Sequence, residues 1–342
     1  MRRPDTDTGK RAVTQSDVAR HLGVSRTLVS FAMRGAPGVS EDMRRQILGA
    51  ADALGYRRNV QAADLARKRP TAVGLHLVDL HNDVYTDVFS GVQEVLRAND
   101  FRLVISVNAT PYGPDPRALD PLFETQVGVI IAATLLDPDE RVRELNRLVP
   151  LVNVARSVPG VDSVHSDDVG GARLATEHLL ELGHRNIAHL CGPAYEGHLE
   201  RRAGYRETML EHGLQPRMIE ATGFGRADAA AVAMEVLASP PGQRPSAIFA
   251  HSDELALGVR EAAAALGLSI PRHLSLVGYD NSRVAGLHGI ELSTVDLHAR
   301  ELGRAAGQTA IERILYPDSP AIDRVLAPAL VTRSSTGPPP RA

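Results

Sequence analysis

The sequence predicts an N-terminal all-α helix-turn-helix head, followed by an α/β domain of two lobes with parallel, doubly wound sheets. Between residues 14 and 56, apolar residues recur at helical spacing in short stretches that are repeatedly interrupted. From residue 71 onward, apolar runs of four to eight residues alternate with amphipathic helical stretches. Continuous apolar runs are typical of strands buried on both faces of a parallel sheet, and their alternation with helices indicates a doubly wound architecture.

The α/β region exceeds the usual size of one domain, which favours two lobes. The predicted segments are a flexible tail (1–12), the head (13–58), a hinge helix or linker (59–69), the α/β domain (70–333) and a second flexible tail (334–342). The first lobe is expected at about 70–163 and 294–322, and the second at about 164–293 and 323–333. The predicted strands are 72–78, 103–107, 127–132, 151–154, 187–190, 247–250 and 274–277. The predicted helices of the lobes are 88–98, 141–148, 171–182, 201–212, 227–238, 255–266 and 299–314.

Charge is divided unevenly along the chain, although the net charge of the 342 residues is only −3. Residues 1–69 hold 14 Lys or Arg and 7 Asp or Glu, a net of +7, and residues 70–342 carry −10. This asymmetry predicts a basic head that binds a polyanion, attached to an acidic body. The alternative is a basic disordered tail.

The sequence favours a cytoplasmic protein with no membrane association. It has no run of about 18 apolar residues, and its polar N-terminus is not followed by an apolar signal segment. The single cysteine, Cys191, cannot form an internal disulfide, which is compatible with a reducing compartment. If the head binds DNA, the protein is expected at the nucleoid.

Three short helices are predicted in the head. Residues 14–17 have the form of a capping box at the start of the first helix. Gly23 can adopt a positive φ in a tight turn, after which Ser25 can cap a second helix over 26–34. Ser40 begins the third helix. Two short helices joined by a glycine turn and backed by a third are typical of a helix-turn-helix.

The second helix carries side chains suited to DNA on its outer side, namely Arg26, Thr27, Ser30 and Arg34. Arginine can donate two hydrogen bonds to guanine, and Thr and Ser can contact bases or phosphates. The alternative is a small three-helix bundle with a solvated polar face. The capping box, the turn and the local positive charge together favour DNA binding.

The segment 13–30 resembles the N-terminus of lactose-repressor (LacI/GalR) family transcription regulators. The likeness continues through Val39-Ser40, Leu54-Gly55-Tyr56 and Asn59 to Leu65-Ala66. The body is similar to the periplasmic-binding-protein-like effector domain of that family. Four motifs carry this second likeness: 182–188, 201–205, 252–258 and 276–280.

The resemblance implies base reading by Arg26 and Thr27, with supporting or backbone contacts around them. The implied DNA-binding residues are Thr14, Ser16, Ser25, Arg26, Thr27, Ser30, Arg34, Val39, Ser40, Tyr56, Asn59, Ala62 and Leu65. Phe31 departs from the arginine and Leu28 from the threonine that are frequent in the family at those positions. The resemblance also implies that 59–66 folds over DNA and that Leu65 wedges into the minor groove. Asp64 is an unfavourable charge there, and a plain linker is the alternative.

Ligands of open parallel sheets bind beyond the carboxyl ends of the strands. The residues that follow the predicted strands are 79–83 with Tyr85, Asn108, Arg156, 252–253 and 280–281, a collection suited to hydroxyl-rich ligands. With the family pattern added, the expected effector-binding residues are Asn82, Tyr85, Arg156, Arg201, Phe224, Ser252 and Asp280. Structural alternatives remain, such as a salt bridge for Arg201 or a helix cap for Asp253.

The sequence therefore predicts a homodimeric transcriptional repressor of carbohydrate-related genes that binds a palindromic operator. A small-molecule effector, with a sugar favoured, is expected between the lobes, and either induction or corepression fits. A regulator of the same family that senses a nucleoside or purine is the alternative. A periplasmic-type solute-binding protein and an α/β enzyme are more distant ones. No catalytic constellation, metal site or cofactor is predicted, and Cys191 is expected to be a buried strand-end residue.

Overall fold

The computed structural model describes residues 13–57, 70–80, 82–109, 115–194, 199–240 and 242–340. The chain divides into two compact units between residues 68 and 69. The predicted N-terminal tail lies outside the described residues. So does the whole of the predicted hinge, including Asn59, Ala62 and Leu65.

The head consists of three helices whose starts are fixed by side-chain caps. They are α1 (Gln15–Leu22), α2 (Arg26–Met33) and α3 (Glu41–Ala53). Gly23 ends α1 in the left-handed region at φ 67°, where its N–H reaches back to the carbonyls of Ala19 and Arg20. Val18, Val29 and Ile47, one from each helix, are fully buried against one another. The predicted helix-turn-helix is confirmed.

The second unit contains two six-stranded sheets. The strands are β1 (Ala72–Leu77), β2 (Arg102–Val107), β3 (Val129–Ala133), β4 (Leu151–Val154), β5 (Asp162–Ser166), β6 (Ile187–Cys191), β7 (Arg217–Glu220), β8 (Ala247–Ala250), β9 (Ser275–Tyr279), β10 (Ser293–Asp296), β11 (Asp323–Leu326) and β12 (Ala329–Val331). The first sheet has the order β11-β5-β4-β3-β1-β2 and the second β12-β10-β9-β8-β6-β7. Neighbouring strands are parallel except for β12, which runs antiparallel to β10.

Helices cover both faces of the first sheet. The helices of this unit are α4 (Asp83–Ala98), α5 (Asp120–Glu124), α6 (Asp139–Leu148), α7 (Asp168–Glu181), α8 (Leu199–Glu211), α9 (Arg226–Leu237), α10 (Asp253–Ala265) and α11 (Ala299–Leu315). Val92 of α4 and Ala306 of α11 belong to the same core as Leu75 of β1. Leu122 and Val142, from α5 and α6, pack with residues on the opposite face. Central strands such as β1 and β3 are buried along their whole length, as continuous apolar runs predict.

The chain crosses between the sheets at places that the sequence did not predict. Residues 164–166 and 323–326 were assigned to the second lobe, but β5 and β11 pair in parallel within the first sheet. Residues 294–296 were assigned to the first lobe, but β10 pairs with β9 and β12 in the second sheet. The strands β10, β11 and β12 are only three or four residues long. Their place is decided by backbone pairing with distant strands, to which local periodicity gives no guide.

The predicted C-terminal tail at 334–342 is also corrected, because residues 334–340 lie against the second sheet. Ser335 is buried; its hydroxyl donates to the Leu276 carbonyl at 2.6 Å and accepts from the Ser293 N–H at 2.8 Å. His184 contacts the Gly337 carbonyl through Nε2 at 2.9 Å. This anchoring uses backbone hydrogen bonds, so a segment rich in Ser, Gly and Pro carries no apolar pattern that reveals it.

Candidate effector cleft and nucleic-acid interface

The surface of α2 presents the residues predicted to read DNA. Arg26, Thr27 and Arg34 are exposed and Ser30 is half-buried, whereas Val29 and Ala32 face the core of the head. Successive helical residues are about 100° apart, so positions 27, 30 and 34 share the face opposite the core. The head can therefore offer this face to the major groove of DNA.

Several other predicted DNA contacts have structural roles within the head. The Ser25 hydroxyl accepts from the Leu28 N–H at 3.1 Å, and the Ser40 hydroxyl accepts from the Met43 N–H at 3.3 Å. The Thr14 N–H and hydroxyl both donate to the Asp17 carboxylate, at 2.9 and 2.6 Å, which completes the capping box. Val39 and Tyr56 pack against the head core, and Ser16 is exposed. DNA contact by these side chains remains a prediction.

A cavity lies at the carboxyl ends of strands from both sheets. Six of the seven predicted effector-binding residues line it: Asn82, Tyr85, Arg201, Phe224, Ser252 and Asp280. Sequence reasoning missed further lining residues, among them Thr134, Ser166, Asp168 and Leu297. Thr134 and Ser166 directly follow or end a strand, which was the usable signal for them.

Arg201 is the centre of the polar groups in this cavity. Its Nε donates to Asp168 Oδ2 at 2.9 Å, and its Nη1 donates to the His251 carbonyl at 2.7 Å. Asp280 Oδ1 lies 3.5 Å from the same Nη1. The guanidinium also lies over the Tyr279 ring, whose hydroxyl donates to Asp168 Oδ1 at 2.8 Å. We call these four side chains, Arg201, Asp168, Asp280 and Tyr279, the Arg201 cluster.

The carboxyl group of Asp280 is held in an environment that disfavours its charge. Burial raises its pKa to about 8; the Arg201 guanidinium opposes this shift and Asp253 adds to it. Burial also raises the pKa of Asp253 to about 6, against hydrogen bonds from Thr294 and Ser282. The Asp253 carboxyl group thus accepts hydrogen bonds from Thr294 and Ser282. The N-cap of α10 is the neighbouring residue, Ser252. Asp253 is structural, but it is not the helix cap that was considered.

Three non-glycine residues of the cavity have strained backbone. Thr134, Ala155 and Asp280 have φ values of 66°, 116° and 111°, in the region that favours glycine. They directly follow β3, β4 and β9, and all three line the cavity. Such strain clusters at ligand-binding and catalytic sites because the surrounding fold holds it in place. This observation supports the cavity as the functional site of the second unit.

The Arg201 cluster depends on a close approach of α7 to β9. A Cβ atom added to Gly171 of α7 would overlap the hydroxyl of Tyr279. Glycine at this position therefore leaves room for the Tyr279 hydroxyl to reach Asp168 on the same helix. No local pattern in the sequence points to the close approach of Gly171 and Tyr279, because these two residues are 108 positions apart.

The remaining predicted residues differ in how directly they reach the cavity. Tyr85 Oη donates to Thr134 Oγ1 at 3.2 Å. The Phe224 ring lies 5.7 Å from the ring of His251, measured between centroids. Arg156, by contrast, is not among the described residues that line the cavity. It pairs with Asp139 and donates to the Asp137 carbonyl at 2.8 Å, so here its role is structural.

The described part of the chain contains no cluster of metal-ligating side chains. There, no group of three or more His, Cys, Asp or Glu is placed to hold a metal ion. Cys191 is buried at the end of β6, and burial raises the pKa of its thiol to about 11. A thiol in that state is a poor nucleophile. Within the same described ranges, no helix combines the length and apolar character needed to cross a membrane.

Comparison with known proteins assigns each of the two units to a sequence family. Residues 14–59 match the sequence family of bacterial regulatory proteins of the lacI family, and residues 176–336 match the periplasmic binding protein-like domain. The chain is 32% identical over 302 residues to catabolite control protein A of Priestia megaterium, covering 86% of this chain and 90% of that protein.

Solved structures show the same architecture. One is the lac repressor dimer bound to operator and the anti-inducer ONPF, with a TM-score of 0.83 and 25% identity, covering 96% of this chain and 100% of that one. Another is a LacI-family regulator from Enterococcus faecium with bound ribose, with a TM-score of 0.68 and 25% identity, covering 78% and 99% of the two chains. A helix-turn-helix head joined to a periplasmic-binding-protein-like domain defines a DNA-binding transcription regulator. The chain belongs to the lacI family of these regulators.

Proposed function

We propose that this protein is a cytoplasmic homodimeric repressor of carbohydrate-related genes, controlled by a neutral sugar bound in the cavity around Arg201. The observation that carries the effector half of the proposal is the Arg201 cluster, in which buried polar groups and strained backbone converge on one cavity. The observation that carries the DNA half is the exposed polar face of α2 on a basic head.

Two copies of the head are expected to read a palindromic operator. A two-fold symmetric dimer presents identical recognition helices to two half-sites, so the symmetry of the DNA follows that of the protein. The similarity over 96% of this chain to the lac repressor, whose structure is that of a dimer on operator, supports this arrangement. Arg26 and Thr27 remain the proposed base-reading residues.

Charge favours an uncharged effector. Arg201 carries the one permanent positive charge among the described residues of the cavity lining, and it already contacts Asp168 and Asp280. A phosphorylated or acidic ligand would therefore find no unpaired cation among these residues, whereas hydroxyl groups can both donate to Asp168 and accept from neighbouring donors. The ribose-bound relative from Enterococcus faecium supports a sugar.

A nucleoside or purine is the second candidate. Phe224 and the apolar Leu297 and Leu302 line the same cavity and could hold a flat base. The polar groups around Arg201 favour the sugar over this alternative, because a base presents fewer hydroxyl groups. Corepression and induction both remain consistent with either ligand.

The first experiment tests DNA binding with the full-length protein. Selection from a random DNA library should enrich a palindrome, and Arg26→Ala should weaken binding to it by about tenfold or more. A substitution at an exposed site of the other unit, Asp318→Asn, is the control and should bind as the unchanged protein does. Failure to enrich any palindrome would reject the proposed reading of a symmetric operator by two copies of α2.

The second experiment tests the effector and its coupling to DNA. Neutral sugars, phosphorylated sugars, nucleosides and purines are titrated against the protein with and without the selected operator. We expect one neutral sugar to bind and to change operator affinity, and linkage requires operator to change sugar affinity by the same factor. Equal sugar affinity in both conditions would reject allosteric control, and binding of a purine alone would establish the second candidate.

A further inference from the structure

Phe31 is a large apolar side chain on the outer face of the recognition helix. It is 38% exposed on α2, whereas Val29 and Ala32 are buried and Leu28 and Met33 are half-buried against the core of the head. At about 100° per residue, Phe31 lies about one helical turn from both Thr27 and Arg34, on the face opposite the core. Phe31 is not among the residues that form the core of the head, and leaving part of an aromatic ring in water is costly.

The ring is held by its neighbour on the next helical turn. The Arg34 guanidinium carbon lies 5.3 Å from the Phe31 ring centroid, within the range of a cation–π contact. Arg34 Nε donates to the Ser30 carbonyl at 3.2 Å, which fixes the guanidinium against the helix. The pair therefore presents an ordered apolar surface beside a fixed positive charge.

The positive charge around Phe31 indicates the kind of molecule that this face binds. Residues 1–69, which include the head, have a net charge of +7, and Arg26 and Arg34 flank the exposed face of α2. A polyanion fits this face, and the proposed function supplies one in DNA. The major-groove edges of the bases carry hydrogen-bonding groups and one apolar group, the C5-methyl of thymine. A phenyl ring makes no strong hydrogen bond and can pack on that methyl.

We propose that Phe31 is a specificity-determining residue that reads thymine in each operator half-site through contact with its C5-methyl group. The inference rests on the proposed DNA binding and adds a base preference to it. It concerns this chain in particular, because Phe31 replaces the arginine that is frequent at this position. An arginine can donate hydrogen bonds to guanine, which a phenyl ring cannot do.

The test uses the full-length protein and the palindrome selected from the random library. Each thymine of the half-site is replaced in turn by deoxyuridine, which removes only the methyl group. We expect one position at which the unchanged protein loses about fourfold in affinity per half-site, the effect of one buried methyl-sized group. The variant Phe31→Ala should bind the thymine operator with that reduced affinity and should not distinguish thymine from deoxyuridine at this position.

Two further variants separate the proposed contact from general effects. Leu48→Ala removes another exposed apolar side chain of the head, 48% exposed on α3, and should keep the discrimination between thymine and deoxyuridine. Phe31→Arg should shift the sequence selected at the same position from thymine to guanine. Circular dichroism and thermal melting of each variant show that the head is folded.

The possible outcomes distinguish thymine reading by Phe31 from the proposed operator binding on which it rests. If no palindrome is selected, the proposed DNA binding fails. If a palindrome is selected but Phe31→Ala keeps the full discrimination at every position, Phe31 does not read thymine and this inference is overturned. Unchanged operator affinity in Phe31→Ala, with dimer affinity reduced in solution, would instead assign Phe31 to a contact between protein copies and would also overturn it.

Discussion

The guanidinium of Arg201 stacks on the ring of Tyr279, with its Cζ atom 3.7 Å from the ring centroid. Both side chains also bind one carboxylate, since Asp168 accepts from Arg201 Nε through one oxygen and from the Tyr279 hydroxyl through the other. The three groups therefore form a closed set, drawn from α8, β9 and the start of α7. Each side chain fixes the orientation of the other two, so the polar lining of the cavity is ordered before a ligand arrives.

Tyr279→Phe keeps the ring under Arg201 and removes the hydroxyl that holds Asp168. We expect the free energy of unfolding to fall by about 1.5–3 kcal/mol, the range for hydrogen bonds to a charged group. Effector affinity should fall several-fold because Arg201 is less constrained. Urea denaturation and effector titration measure the two effects. Tyr316→Phe, at a 64% exposed tyrosine, is the matched control and should change neither. A Tyr279→Phe protein as stable as its parent would contradict the closed arrangement.

Asp280 predicts a pH dependence of stability. Its pKa of about 8 in the folded protein lies above the ordinary value of 3.8, so the folded state binds the proton more tightly than the unfolded chain. The contribution of the protonated Asp280 to the free energy of unfolding is complete below about pH 4 and is lost as the pH rises towards 8. Asp168, Asp253 and Arg201 face the same group and contribute their own electrostatic terms, which makes a comparison with a neutral variant necessary.

Asp280→Asn should remove this dependence. Across the range from about pH 4 to pH 8, the difference in unfolding free energy between Asp280→Asn and the parent should change by at least about 1 kcal/mol in favour of the variant, the value of one pKa unit. Urea titrations at several pH values provide the measurement. Parallel curves for the two proteins would show that Asp280 does not hold its proton in the folded state.

Arg156→Ala separates a structural from a ligand-binding arginine. Because Arg156 is buried against Asp139 and the Asp137 carbonyl, its loss should lower the free energy of unfolding by about 1–3 kcal/mol. Effector affinity should change less than about twofold, since the side chain does not line the cavity. Arg143→Ala is the control, because its contact with Asp139 is longer, at 3.8 Å, and exposed. A tenfold loss of effector affinity in Arg156→Ala would restore the role predicted from sequence.

Thr14→Ala should weaken the head through its first helix. The side chain accepts from the Asp17 N–H and donates to the Asp17 carboxylate, so its removal opens the capping box. A cost of about 1 kcal/mol is expected from the loss of an N-cap, and Thr14→Ser should recover most of it. Amide hydrogen exchange within α1 reports the change locally. Equal protection in Thr14→Ala and the parent would mean that the cap contributes nothing.

Ser335→Ala tests whether the C-terminal segment is part of the second lobe. The substitution leaves the Leu276 carbonyl and the Ser293 N–H without this buried partner, which should cost about 1–3 kcal/mol. Ser334→Ala removes an exposed hydroxyl next to it and should cost less than about 0.5 kcal/mol. Thermal unfolding of both variants gives the comparison. Similar small losses would support the flexible tail that the sequence suggested.

Strong local patterns were predicted correctly, and weak ones were missed. The strand at 187–190 and the helix at 299–314 match β6 and α11 closely, because continuous burial and long amphipathic repeats mark them. The helix predicted from Val88 begins at Asp83, where an Asn82 cap was not recognised. The edge strands β7 and β11 were not predicted, since half of each is exposed and its apolar pattern is faint.

The cavity was predicted in part for a similar reason. Residues that follow strands, such as Asp280 and Ser252, were found because strand ends are visible in the sequence and parallel sheets place them on one edge. Arg156 met the same criterion, yet its side chain turned to Asp139. Position after a strand fixes where the backbone goes, but the choice of side-chain partner depends on groups brought from elsewhere in the chain.

By itself, the sequence determined the helical head, the succession of buried strands and helices, and the division of charge between a basic head and an acidic body. These follow from local spacing and composition, which each segment carries independently of the fold. Only the tertiary structure decided which sheet received β10 and β11, which arginine joined the cavity, and how Tyr279 reached Asp168 over Gly171. Those outcomes depend on contacts between residues far apart in the chain, where packing space and the need to pair buried polar groups select one arrangement.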